Sequence, residues 1–149
     1  IPFAFFSLIN ARFLFRDLDA TLNPFRGEGD HEPAVHINSS LKKESLDFRA
    51  GEFVYAMADG NYVIFHLYRD KQLQKIPIRN SIYGIEQQLE KIPHFFRCHR
   101  GFIINLHHVA MKRGNASGYS LIMRHAPDRV PVSRNKIREF DRMYAQQQP

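Results

Sequence analysis

Hydrophobic and polar positions along this chain alternate between a period of two and a period near 3.6. From residue 36 onward, short runs rich in aromatic and β-branched residues dominate. Phe53 to Ala58, Tyr62 to Tyr68 and Gln72 to Ile78 read as three strands in meander order. Asp59, Gly60 and Asn61 tolerate positive φ and suit a tight hairpin loop; Arg69, Asp70 and Lys71 form the next turn. The period then lengthens. Ser81 to Lys91 places Ile82, Ile85 and Leu89 on one stripe of a short helix, with Asn80 or Ser81 as its cap and Pro93 barring its continuation. Strands resume at Phe102 to Leu106, Val109 to Lys112, Tyr119 to Met123 and Val130 to Val132, with a turn at Gly114 to Gly118. A last helix is expected to start from Ser133 as its cap. It buries Ile137, Phe140 and Tyr144, and turns Arg134, Lys136, Arg138 and Arg142 outward.

The start of the chain follows another pattern. Ile1 to Phe15 is largely apolar but shorter than the roughly 20 residues a membrane-spanning helix needs, and Asn10 and Arg12 interrupt it. It lacks the basic start and small-residue cleavage site of a signal peptide. Two readings stand side by side: the cut end of a membrane helix with Arg12 and Arg16 at the cytoplasmic surface, or an amphipathic linker helix. Residues 23 to 35 hold two prolines, two glycines and scattered charge without an apolar period, which is a linker composition. The expected organisation is an apolar juxtamembrane or linker segment over residues 1–35 and one domain over 36–149. The lack of an initiating Met suggests a piece of a longer protein.

Composition narrows the class. Apolar residues make up 44% of the chain, including 13 Phe and 6 Tyr, enough to close a core without disulfides or a structural metal. The single cysteine, Cys98, excludes an internal disulfide and favours a reducing compartment. Net charge is +6, unevenly spread: residues 1–50 carry six basic and seven acidic groups, whereas 51–149 carry fifteen and eight. The whole excess therefore lies in the strand-rich part and favours a polyanionic partner.

The densest signal is His94 to Arg113, with four fixed positive charges (Arg97, Arg100, Lys112 and Arg113) and no acid in twenty residues. Arg can grip phosphate with two donors or read the O6 and N7 edge of guanine, and Asn can pair with adenine. The neighbouring Phe95, Phe96, Phe102, Ile103 and Ile104 are more simply core residues. His94, Cys98, His99, His107 and His108 lack metal-ligand spacing, so no metal is expected. Cys98 is weighed as a redox sensor activated by Arg97 and Arg100, against the simpler reading of an inert, half-buried thiol. No nucleophile motif or phosphate-binding glycine loop is present, so neither an enzyme nor a cofactor is implied.

The string FFRCHRGFIIN, preceded by DGNYV and RNSIYGIEQQL and followed by VPVSRNKIREF, resembles the LytTR (LytR/AlgR-type) DNA-binding domain of bacterial transcription regulators. The motifs occur in that family's order and cover the chain from about residue 45 to residue 144. Gly101 departs from the pattern, which has Ser after the His-Arg pair. The resemblance implies a mainly β fold, elongated, with several antiparallel sheets and two short helices, which inserts loops into successive major grooves of double-stranded DNA. It implies base contacts from Asn61, Arg100 and Arg134, and phosphate contacts from Arg97, Lys112, Lys136 and Arg138. His99 and Asn105, with mixed donor and acceptor capacity, are expected to shape the central loop. A second protomer on neighbouring direct repeats and a cytoplasmic location follow from the same reading, with a membrane tether upstream of residue 16 if the first reading of that segment holds. The competing class is a basic module that binds a membrane surface or a protein without sequence preference.

Overall fold

The computed structural model describes residues 32–41 and 43–147, so the readings made for Ile1 to Phe15 and for most of the linker lie outside the described residues. The first strand, β1 (Ala34–Asn38), begins inside the stretch read as linker, because Val35 and Ile37 alternate into a core. It pairs antiparallel with β2 (Ser45–Arg49), Val35 opposite Phe48 and Ile37 opposite Leu46.

Three long strands follow, β3 (Phe53–Asp59), β4 (Tyr62–Arg69) and β5 (Gln72–Arg79), and then helix α1 (Ile82–Leu89). The β3–β4 loop is the two residues Gly60 and Asn61, since Asp59 pairs with Tyr62. Gly60 takes φ +58°, which a glycine adopts at no steric cost. At the β4–β5 turn both Asp70 and Lys71 take positive φ, as a two-residue hairpin of the primed type requires. The Ser81 hydroxyl accepts from the Gly84 N–H at 3.0 Å and caps α1 as expected. Ile85 and Leu89 are buried and Ile82 packs beside them.

Beyond α1 lie β6 (Phe95–His99), β7 (Phe102–Asn105), β8 (Val109–Asn115), β9 (Gly118–Met123), β10 (Arg129–Val132) and helix α2 (Ile137–Gln147). The strands form a five-stranded sheet in the order β5-β4-β3-β7-β6, a three-stranded sheet β10-β9-β8, and the β1-β2 pair, with every pairing antiparallel. The described part is thus mainly β, with several antiparallel sheets and two short helices, as the family resemblance implies.

The five-stranded sheet feeds two cores. One face carries Phe53, Phe65, Ile78 and Ile103, covered by Val35, Ile37 and Phe48 of the β1–β2 pair and by Ile85 and Leu89 of α1. The other carries Tyr55, Phe96, Cys98 and Ile104, covered by Leu121, Met123, Val130 and Val132 of the second sheet and by Phe140 of α2. A register shift between Phe53 and Tyr55 lets the adjacent Val54 and Tyr55 serve the same face. Each fully buried large apolar side chain contributes roughly 1.5–3 kcal/mol, which is how such short strands hold together.

Candidate nucleic-acid interface

Three segments far apart in sequence meet near one end of the β6–β7 hairpin. The hairpin loop holds Arg100 and Gly101, and β7 pairs with β3 from Phe102 opposite Met57. The Ala58 N–H donates to the Gly101 carbonyl at 2.8 Å, which ties the loop to the end of β3, three residues before Asn61. On the other side the Ser133 N–H donates to the Cys98 carbonyl at 2.9 Å, which ties the start of the last helical segment to β6, two residues before Arg100. Asn61, Arg100 and Arg134 are all exposed. The three expected base-contact residues therefore sit on backbone segments hydrogen-bonded to one another.

Ser133 does not cap the helix through its side chain. Its backbone precedes a short 3-10 turn, Arg134–Lys136, and its hydroxyl donates to the same Cys98 carbonyl at a long 3.4 Å. The tether replaces the cap, and Arg134 consequently starts the turn directly beside β6.

His99 is the last residue of β6 before the loop. Its Nδ1 accepts the Gly101 N–H at 3.1 Å, which requires a neutral ring protonated on Nε2. Partial burial, and then the Arg100 charge, lower its pKa and favour that form. Asn105 departs from its expected role. It is fully buried at the opposite end of β7, where its Nδ2 donates to the Phe53 carbonyl at 2.9 Å and the Ala50 carbonyl at 3.3 Å, while its Oδ1 accepts from the His107 N–H at 3.0 Å. It orders the 3-10 turns Ala50–Glu52 and Leu106–His108, not the Arg100 loop.

The expected phosphate contacts divide. Arg138 is exposed on α2. Lys136, half-buried, lies 3.9 Å from Glu139 and 5.9 Å from the centre of the Phe96 ring. The Lys112 ammonium donates to Asp141 at 2.8 Å and lies over the Tyr119 ring, so much of its charge is used within the domain. The hydrogen bond to Asp141 raises the pKa of Lys112, and the same bond lowers that of Asp141. Arg97 departs furthest from expectation: its Nη1 donates to Glu86 Oε2 of α1 at 2.6 Å and its Nη2 to the Arg100 carbonyl at 2.8 Å. With 22% of its side chain exposed, Arg97 is an internal brace and not an outward cation.

Glu86 is the participant that the charge pattern of residues 94–113 conceals, since it lies on another element. It had a signal: four residues after Ile82 and three before Leu89, it is an acid on the inward stripe of α1.

Cys98 is fully buried, and burial pushes its thiol up to about 12, outweighing a backbone hydrogen bond and the Lys136 charge, which lower it. Its Sγ faces the Pro131 carbonyl at 3.4 Å, on the side of the sheet away from the Arg97–Glu86 pair, which removes the basis for thiolate activation by Arg97. Gly101 is not a steric necessity. A Cβ there would meet His99 Nδ1 at 3.8 Å and the Ala58 Cβ at 3.9 Å, ordinary contact distances that leave room for serine. Among the described residues no three His, Cys, Asp or Glu side chains gather as a metal site, and no helix is long and apolar enough to cross a membrane.

Comparison with known proteins bears on this arrangement. Residues 47–145, well over half of the chain, match the family model described as the LytTr DNA-binding domain. The transcriptional regulatory protein YpdB of Escherichia coli strain K12 is 38% identical over 60 residues, which are 38% of this chain and 25% of that protein; its Shigella flexneri counterpart gives the same figures. The aligned stretch thus spans about a quarter of the length of these curated relatives. Among solved structures, the LytTr DNA-binding domain of a methyl-accepting/DNA response regulator from Bacillus cereus superposes with a TM-score of 0.54 at 20% identity, covering 74% of this chain and 94% of that one. That likeness concerns the fold.

Proposed function

The chain belongs to the LytTr DNA-binding domain family, and on that premise we propose that it reads specific double-stranded DNA sequences as the output domain of a bacterial transcription regulator. Asn61, Arg100 and Arg134 contact base edges in successive major grooves, while Lys136 and Arg138, with Lys112 at the margin, hold phosphates. Two protomers occupy neighbouring direct repeats. The observation that carries this reading is the pair of backbone tethers, Ala58 to Gly101 and Ser133 to Cys98, which couple three exposed reading groups from distant parts of the sequence. Base reading needs such order, because a side chain on an unanchored loop loses its direction when it meets a groove. The DNA-binding domain starts near residue 33, functions in the cytoplasm, and is joined through residues 1–31 to a sensing part or a membrane attachment.

Selection of bound duplexes from a random pool, repeated at two salt concentrations, tests the reading. Enrichment of one motif in two spaced copies is expected. Salt-sensitive retention of all sequences alike points instead to a basic module without base readout. Liposome flotation of the 149-residue chain, against the same chain starting at residue 33, tests the membrane attachment: loss of flotation on truncation is expected.

A further inference from the structure

We propose that Glu86 is a positioning residue for base reading, acting through Arg97 on the Arg100 loop; this rests on Arg100 being a base-reading residue. The loop, Arg100 and Gly101, projects from β6, the edge strand of its sheet; the His99–Phe102 pair closes it, but behind that pair the β6–β7 ladder shifts register between Phe96 and His99, so the pairing that supports it is short. Three further hydrogen bonds hold its backbone: Ala58 N–H to Gly101 O, Gly101 N–H to His99 Nδ1, and Arg97 Nη2 to Arg100 O. Only the last acts on the carbonyl of the reading residue itself. A guanidinium is a planar fork, and anchoring one arm directs the other. Here Glu86 Oε2 anchors Nη1 at 2.6 Å and Nη2 is aimed at the Arg100 carbonyl. Without the carboxylate, Arg97 becomes an unanchored cation that can swing to a DNA phosphate and release the loop.

This role separates from simple electrostatics by sign. An acid beside a DNA-binding surface repels the polyanion, so neutralising it should strengthen binding to every duplex. A positioning acid gives the opposite result on the specific duplex. In the 149-residue chain, Glu86→Gln is expected to lower the ratio of affinity for the selected duplex over a scrambled one by about three- to tenfold, while affinity for the scrambled duplex holds or rises. Arg97→Lys, which keeps the charge but lacks the fork, is expected to produce the same fall. In an Arg100→Ala background, Glu86→Gln should leave the ratio unchanged. Backbone 15N relaxation without DNA should show the Arg100 and Gly101 amides less ordered in both single variants, with thermal unfolding confirming the fold. An Arg100 loop as ordered in Glu86→Gln as in the parent chain overturns the proposal, as does an equal fall in ratio when Arg100 is already absent. If Arg100→Ala alone spares the ratio while Glu86→Gln still loosens the loop, base reading by Arg100 is what fails and the brace stands.

Discussion

The Ser133 N–H donates to the Cys98 carbonyl at 2.9 Å, and this one bond fixes where the last helical segment meets the edge strand that carries the Arg100 loop. Ser133 has φ −69°, an angle that proline adopts without strain. Ser133→Pro therefore removes the donor while keeping the backbone angle, and is expected to cost about 1–3 kcal/mol from a carbonyl left without its main partner. Ser133→Ala keeps the N–H and loses only the 3.4 Å hydroxyl contact, for a cost below about 0.5 kcal/mol. Urea unfolding of the two variants checks the contrast.

Cys98 should behave as a core residue. With its thiol raised to about 12 and its side chain fully enclosed, it is expected to resist alkylation in the native protein at neutral pH. Iodoacetamide labelling followed by mass spectrometry should proceed only as fast as the domain opens, and should become rapid in denaturant. Fast labelling of the folded domain contradicts the placement of Cys98 in the core.

Acid should weaken the fold through His66. This ring is buried, stacked on Tyr55 at 3.9 Å, and its pKa is lowered to about 4, chiefly by burial and then by Lys75. The unfolded chain, with a histidine pKa near 6.5, binds the proton more readily, so stability contributed by the neutral ring is complete above about pH 6.5 and is lost as pH falls toward 4. Over pH 7.5 to 5 the loss attributable to this group is about 2 kcal/mol. His66→Phe, which keeps an aromatic partner for Tyr55, should flatten the pH dependence of the urea midpoint over that range. An unchanged slope contradicts a buried neutral His66.

Much of this architecture was legible in the chain, for physical reasons that also explain the gaps. The strands at Phe53, Tyr62 and Gln72 declare themselves as runs rich in aromatic and β-branched residues bounded by turn residues, and both helices by a single apolar stripe. Strand β6 does not, because Phe95 serves one core and Phe96 the other, which hides alternation behind two adjacent aromatics. β1 is obscured by Pro33 and the polar residues before it, although Val35 and Ile37 carry a period of two. At the site, a run of cations without a neighbouring acid suggests outward charge, yet Arg97 is satisfied by Glu86, eleven residues earlier on a helix. Asn105 was recognisable as a residue that orders backbone, but which backbone depends on the pairing of β7 with β3, a long-range fact.

The central claim is that the three tethered loops read bases while Lys136, just before α2, and Arg138, on it, hold phosphate. It is tested most directly by equilibrium binding of Arg100→Ala, Arg134→Ala and Lys136→Ala to the selected duplex and to a scrambled one across a range of salt. Arg100→Ala and Arg134→Ala are expected to lose about 1–3 kcal/mol on the selected duplex, with relaxed preference at one base position each. Lys136→Ala is expected to weaken both duplexes alike and to flatten the salt slope by about one unit. Equal losses on the two duplexes for Arg100→Ala and Arg134→Ala would contradict base reading by these loops.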